Sequence, residues 1–274
     1  MFDVVLSNLS KCLKQNKEVG MQQIIIYVDQ GVDGVAFKQT VKSLSLEIDP
    51  HKYQIVRMDA RKIKTDDWME KTALFIMPGG RDVYYHEALG DEGAYKIRSF
   101  VAQGGFYLGL CAGAYFASDA IEFEKGGRFE VCAKRNLSFY PGLAKGPAYG
   151  LNRYSYEDSR GSEAALISWD DDSVFSYFNG GCLFVDPGKY ESVSVLSRYL
   201  NIEEQPAAIV SCSYGNGRAI LSGTHLEYSF RLMQNQDPYL QRIYSQLHSS
   251  EEKRREVFRG MLDQLELALT SLQK

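Results

Sequence analysis

The sequence FYLGLCAGAYFAS, from Phe106 to Ser118, decides the fold. Its first five residues are apolar at every position, which is typical of a strand buried on both faces of a sheet. The strand stops at Cys111, with Gly109 two positions before it and Gly113 two positions after it. A Gly-x-nucleophile-x-Gly pattern is typical of a sharp strand-to-helix turn, because side chains at the glycine positions would collide with neighbouring backbone. The stretch therefore predicts an α/β fold with a nucleophile elbow at Cys111.

On the N-terminal side of the elbow, apolar runs alternate with amphipathic runs. They predict strands at 22–32, 53–60 and 72–80, and helices at 35–46, 65–71 and 91–105. This alternation predicts a mostly parallel sheet with helices on both faces. Ligands of such sheets bind beyond the carboxyl ends of the strands. We therefore expect Cys111 and the Gly79-Gly80 turn of the preceding strand to lie at one edge.

On the C-terminal side the pattern is less regular. It predicts a hairpin at 122–133, strands flanking the Asn179-Gly180 turn, a hairpin at 207–222, and a terminal helix whose apolar stripe runs from Val257 to Leu272. That helix is expected to pack on the body or to form a homodimer contact. The domain prediction is an N-terminal helical extension (1–21), a central domain (22–235) and a C-terminal helical extension (236–274).

Composition excludes several classes of function. The formal net charge is −4, from 31 Lys and Arg against 35 Asp and Glu, which gives no electrostatic basis for binding nucleic acid. No apolar run is long enough for a membrane span, and the N-terminus does not resemble a signal peptide. Five widely spaced cysteines without a CxxC pair predict neither a disulfide framework nor a metal site, and indicate a cytoplasmic protein. No cofactor is expected, because P-loop and dinucleotide-binding glycine motifs are missing.

A cysteine nucleophile needs a base and a group that orients the base. Among four histidines, His225 is the best candidate, because it follows a strand and precedes Glu227 by two residues, on the same side of an extended segment. His86, after the Gly79-Gly80 turn, is a second candidate. The N–H of Ala112 is expected to bind the oxyanion, with a second donor from Gly79 or Gly80.

Six residues are candidates for selecting the substrate, in addition to Gly79. Arg81 and Asp82 follow the Gly79-Gly80 turn and are expected at the mouth of the cleft, although a loop salt bridge is the alternative. The others are Tyr84, Tyr85, Tyr115 and Asn179.

These motifs resemble class I glutamine amidotransferase-like proteins, and more narrowly the N-terminal domain of biotin-protein ligases. The resemblance rests on MPGGRDVYY, IRSFVAQGGFYLGLCAGAYFAS, EFE, FYPGLAKGPAYG, YFNGGCLFVD and PAAIVSCSYGNGRAILSGTHLEYS. It implies a flavodoxin-like fold, a triad of Cys111, His225 and Glu227, and Gly80 and Ala112 as oxyanion donors. The implied partners are a small-molecule amide, and a biotin-protein ligase or a carboxylase.

The chain departs from the resemblance at two points. Members that use glutamine commonly carry Gln at the position of Tyr115, and biotin ligation needs a Gly/Arg-rich loop for which GNGRAI lies in the wrong context. The expected function is therefore amide cleavage or transfer through a Cys111 thioester. A non-catalytic binding or regulatory module and a small-peptide hydrolase are the alternatives.

Overall fold

A computed structural model describes residues 20–233 and 236–271 of the chain. Five neighbouring parallel strands form one half of its large sheet, in the order β2-β1-β3-β4-β13. Their bounds are β1 Gln22–Tyr27, β2 Tyr53–Met58, β3 Thr72–Met77, β4 Phe106–Leu110 and β13 Gly217–Ser222. The predicted mostly parallel α/β sheet is confirmed.

Beyond β13 the same sheet continues with mixed pairing. Its order there is β12-β10-β7-β5-β6, with β11 paired to β12. Two further strands, β8 and β9, form a separate antiparallel hairpin. The bounds are β5 Ser118–Phe123, β6 Val131–Lys134, β7 Tyr140–Gly146, β8 Ser162–Trp169, β9 Asp172–Asn179, β10 Leu183–Phe184, β11 Val193–Arg198 and β12 Ala207–Tyr214.

Helices cover both faces of the parallel half. Alternate strand residues point to opposite faces, so Ile25 and Phe75 join one core while Ile24 and Leu74 join the other. The first core contains side chains of α2 (Ala60–Thr65), α3 (Asp82–Ala102) and α4 (Ala112–Phe116); the second contains those of α1 (Gly34–Glu47) and α6 (Glu251–Gln264). Helix α5 (Pro238–Ser249) packs with the β8–β9 hairpin in a third, smaller core.

Helix positions differ from prediction at three places. The α-helix expected at 65–71 is wrong, because that range contains only a 3-10 turn at Met69–Lys71, and the helix α2 lies before it at Ala60–Thr65, where Asp59 caps it. Helix α3 begins earlier than expected, with a break at Gly90, where φ is 55°. The stripe after Leu265 is not helical, because Glu266 has φ 56° and the following residues run extended to pair with Ile48.

The strands predicted on either side of Asn179-Gly180 are confirmed as β9 and β10, and they do not pair with each other. Strand β9 pairs with β8, whereas β10 pairs with β7 and β12. The hairpins predicted at 122–133 and 207–222 are confirmed as β5–β6 and β12–β13. Almost all of the predicted extension at 1–21, with Cys12, lies outside the described residues.

Candidate active site

The sharp turn at Cys111 joins β4 to α4. Cys111 has φ 50° and ψ −101°, a strained conformation for a residue with a side chain. Its N–H donates to the carbonyl of Ser222 at the end of β13, which ties the turn to the neighbouring strand. The turn places Sγ at the carboxyl edge of the parallel sheet, where the predicted elbow belongs.

The two flanking glycines are required by close backbone approach. A Cβ on Gly113 would lie 2.0 Å from the carbonyl oxygen of Met77, and a Cβ on Gly109 would lie 2.6 Å from that of Gly113. Neither distance is possible between non-bonded atoms, so a larger residue would push α4 away from β3 and β4. Helix α4 has five residues, too few for a strong macrodipole.

His225 and Glu227 lie together next to the thiol. Nδ1 of His225 is 2.7 Å from Oε1 of Glu227, and the two residues are 4% and 0% exposed. The N–H of His225 donates to the carbonyl of Tyr177, which fixes the backbone on the far side of the cleft. The ring of Tyr228 lies 4.5 Å from the imidazole, centroid to centroid. The geometry leaves Nε2 as the imidazole nitrogen available to the thiol.

The charges around the imidazole favour its protonated form. Burial alone would lower the pKa of His225, but Glu227 and Cys111 outweigh it and raise that pKa to about 10. The Sγ–H of Cys111 points to the carbonyl of Asn179 at 3.9 Å. The Cys111 thiol and the His225 imidazole are neighbours, and the distance between a nucleophile and its base commonly shortens when a substrate binds.

Two elements distant in sequence hold the segment that carries the imidazole and its carboxylate. On α1, the Gln39 side chain exchanges two hydrogen bonds with the backbone of Ser229. On α6, the buried guanidinium of Arg254 donates to the carbonyl of Leu226, between the two site residues. Sequence reasoning missed both, because nothing in the local pattern marks such long-range contacts.

The amides of Gly80 and Ala112 are the oxyanion donors expected from the sequence. Gly80 has φ 149°, and two backbone hydrogen bonds hold its turn, because the N–H of Asp33 donates to the carbonyl of Gly79 and the N–H of Arg81 donates to the carbonyl of Gly31. Among residues 20–233 and 236–271, no carbonyl accepts from the Gly80 N–H. The N–H of Ala112, first residue of α4, has no partner in the preceding turn of a helix. Both amides therefore remain available to a ligand.

Two cavities meet at Cys111. The larger, about 790 Å³, is lined by His225, Tyr177 and Tyr228 together with the start of α1. The smaller, about 370 Å³, is lined by Ala112 and by a cluster of aromatic side chains. Of the histidines in the described ranges, His225 is the one that lines a cavity with Cys111, whereas His86 lies near Asp82.

The residues expected to select substrate fall into two groups. Arg81 is exposed and lies over the ring of Tyr156, with its guanidinium carbon 3.9 Å from the ring centroid. Arg81 and Asn179 line both cavities, and Gly79 lines the larger. Tyr84 also lines both.

Asp82, Tyr115 and Tyr85 lie deeper. Asp82 pairs with Arg135 at 2.7 Å, and although burial raises the pKa of Asp82, the guanidinium opposes that shift. Tyr115 is 4% exposed and donates to the carbonyl of Gly180 at 3.1 Å. Tyr85 donates to the carbonyl of Gly79 and supports that turn from below. Asp82 and Tyr115 border the smaller cavity.

Comparison with known proteins identifies the family. A protein-family model described as "Biotin-protein ligase, N terminal" matches residues 22–274 of the sequence, and the chain belongs to this family. It is 38% identical over 213 residues to an uncharacterized protein of Chlamydia muridarum, covering 77% of this chain and 82% of that one. It is 35% identical over 211 residues to the biotin–protein ligase of Schizosaccharomyces pombe, covering 75% of this chain and 33% of the ligase.

A solved structure shows the same fold. A glutamine amidotransferase from Thermotoga maritima superposes with a TM-score of 0.52 at 11% identity, over 89% of this chain and 97% of its own. The chain spans about a third of the length of the fission-yeast ligase.

No helix in the described ranges is long and apolar enough to cross a membrane. Those ranges also contain no cluster of three or more His, Cys, Asp or Glu suited to a metal ion.

Proposed function

We propose that this protein cleaves or transfers an amide through a thioester on Cys111. The observation that carries the proposal is the buried pair of His225 and Glu227, with Nδ1 and Oε1 2.7 Å apart, beside a cysteine in a strained turn. Burying a charged pair costs free energy, and strained backbone costs on the order of 1–3 kcal/mol. Neither the buried charged pair nor the strained turn would be expected if these residues served only to stabilise the fold.

The residues support a stepwise mechanism. Nε2 of His225 holds the thiol proton, so Sγ attacks the amide carbonyl carbon as a thiolate. The oxyanion accepts hydrogen bonds from the N–H groups of Gly80 and Ala112, which contribute several kcal/mol to stabilising the tetrahedral intermediate. His225 then gives the proton to the leaving nitrogen, and the C–N bond breaks. Glu227 keeps Nδ1 protonated and the ring in position throughout. Water or an amine next attacks the thioester and releases the thiol.

Acylation by an activated ester tests this proposal directly. p-Nitrophenyl acetate acetylates a nucleophilic thiol and releases a coloured phenolate, and peptide mass mapping locates the acetyl group. Cys132 is the internal control, because it is exposed while Cys111 is 6% exposed. Desolvation and the carboxylates of Glu130 and Glu122 raise the pKa of Cys132.

We expect Cys111 to acetylate faster than Cys132 despite its burial. The burst of phenolate should vanish in Cys111→Ala and persist in Cys132→Ala. If the more exposed thiol reacts first, so that Cys132 is acetylated while Cys111 stays unmodified, the enzymatic proposal is overturned. That result would favour the binding-module alternative.

The relationship to biotin-protein ligases supports a proposal about context. A region similar to this chain is part of the fission-yeast biotin–protein ligase. We propose that the chain works with a biotin ligase or a biotin-dependent carboxylase, in the cytoplasm, where the free thiols of Cys111, Cys132, Cys182 and Cys212 stay reduced. Co-purification with a tagged ligase from the same cell tests this, and a ligase recovered without the chain would count against it.

A further inference from the structure

The two cavities at Cys111 lie on chemically different sides of the thiol. His225 lines the larger cavity and not the smaller, whereas Ala112 lines the smaller and not the larger. In amide cleavage the leaving nitrogen must face the imidazole that protonates it. The larger cavity is therefore the amine side of the scissile bond, and the smaller cavity is the acyl side.

The sizes of the cavities restrict the substrate. A primary amide releases ammonia, which is about the size of a water molecule and needs roughly 30 Å³. The amine side here offers about 790 Å³. It continues from His225 along the first turn of α1, past Ala36 to Val35. Ammonia would leave most of this cavity unfilled, whereas a substituted amine would fill more of it.

Two aromatic rings are particular to the acyl side. Phe123 and Phe129 line the smaller cavity and not the larger, and their ring centroids lie 5.3 and 4.8 Å from those of Tyr154 and Tyr156, which line both cavities. Tyr115 borders this cavity, and its hydroxyl is already bonded to Gly180. The rings of Phe123 and Phe129 suit packing against an apolar or planar part of an acyl chain, and Arg128 and Glu130, which also line this cavity, offer charged groups to a polar part.

We propose that the substrates are substituted amides, with an acyl group in the smaller cavity that packs against its aromatic rings and a sizeable amine in the larger one. This inference rests on the proposed thioester chemistry. In the reverse direction an amine bound in the larger cavity attacks the thioester carbonyl. A C–N bond forms, the C–Sγ bond breaks, and the proton lost by the amine passes through His225 to the sulfur.

Partition of acetyl-Cys111 between water and added amines tests the inference. The protein is first acetylated with p-nitrophenyl acetate, and ammonia, n-butylamine or phenethylamine is then added at equal concentrations of the unprotonated form. Loss of the acetyl group is followed by intact mass, and the acetamide product is quantified. S-Acetyl-N-acetylcysteamine in the same buffer corrects for the intrinsic reactivity of each amine.

Two substitutions on one helix give a matched comparison. Val35 lines the larger cavity and is 49% exposed, while Leu46, also on α1, is 48% exposed and lines neither cavity. Val35→Trp should fill the amine side, and Leu46→Trp adds an indole to the surface elsewhere. Both positions are on the surface, so neither substitution disrupts the core.

We expect phenethylamine to accelerate deacylation with saturation, at a half-saturating concentration at least tenfold below that of ammonia. Val35→Trp should raise that concentration about tenfold, and Leu46→Trp should not. Unsaturable acceleration that matches the model thioester, or equal behaviour of both variants, would overturn the inference. Failure to acetylate Cys111 at all is seen before amine is added, and overturns the proposed function instead.

Discussion

Replacing Gly79 with alanine tests whether the position of the His225 imidazole matters. A Cβ at this position would lie 2.6 Å from Cε1 of His225 and 3.3 Å from the Cβ of Ala36. Ordinary carbon–carbon contact is about 3.5 Å, so the imidazole must move by about 1 Å. Gly79 does not need positive φ, so alanine adds a steric contact without backbone strain.

The expected cost follows from that displacement. A shift of about 1 Å in a catalytic group lowers the rate on the order of 10²-fold. The acetylation rate of Cys111 by p-nitrophenyl acetate should fall by this factor in Gly79→Ala, with the urea midpoint nearly unchanged. Gly34→Ala is the matched control, because nothing lies within 4 Å of its added Cβ. His225→Gln gives the rate without the imidazole.

The two variants distinguish an error in the steric argument from an error in the assignment of His225 as the base. If Gly79→Ala acetylates at the wild-type rate while His225→Gln is slow, the imidazole acts as base but the steric argument is wrong. If both variants acetylate normally, His225 is not the base.

Three further predictions concern charges. Glu227→Gln should slow acetylation of Cys111 by roughly 10²–10⁴-fold, since the imidazole loses its orienting carboxylate; an unchanged phenolate burst would contradict this. Burial lowers the pKa of His225, but Glu227 and Cys111 raise it to about 10 from 6.5. The unfolding free energy of wild type minus that of His225→Gln should therefore be constant below pH 6.5. It should fall above that pH by up to about 1.4 kcal/mol per unit until about pH 10, and urea titrations showing a flat difference would refute it. Arg135→Met should cost about 3–5 kcal/mol, because it leaves the buried carboxylate of Asp82 unpaired. Adding Asp82→Asn should recover much of that loss in the same urea titrations, and a single-variant cost below 1 kcal/mol would contradict the pairing.

The sequence predicted those parts of the site whose signals are local. The elbow is readable because its two glycines stand within two residues of Cys111. His225 and Glu227 can be recognised as a pair in the sequence because they are also only two residues apart. Their contact with Cys111 depended on knowing that strand ends meet at one edge of a parallel sheet.

The missed features depend on partners that no local pattern marks. Gln39 is 190 residues from Ser229, and Arg254 is 28 residues from Leu226. The partners of the strand after Asn179 were not predicted, because a turn signal shows where a strand ends and not which strand it joins. Ala268 and Leu269 keep the apolar spacing of a helix, yet they pack against the core from an extended segment.

The contact between Arg254 and Leu226 has a consequence for the order in which the protein matures. During synthesis the thiol of Cys111 leaves the ribosome long before α6, which holds the segment bearing its base. A nascent chain that has folded only its parallel strands carries the cysteine without a fixed imidazole beside it. The proposed base of Cys111 is therefore held in place only after α6 has docked against the segment that carries His225.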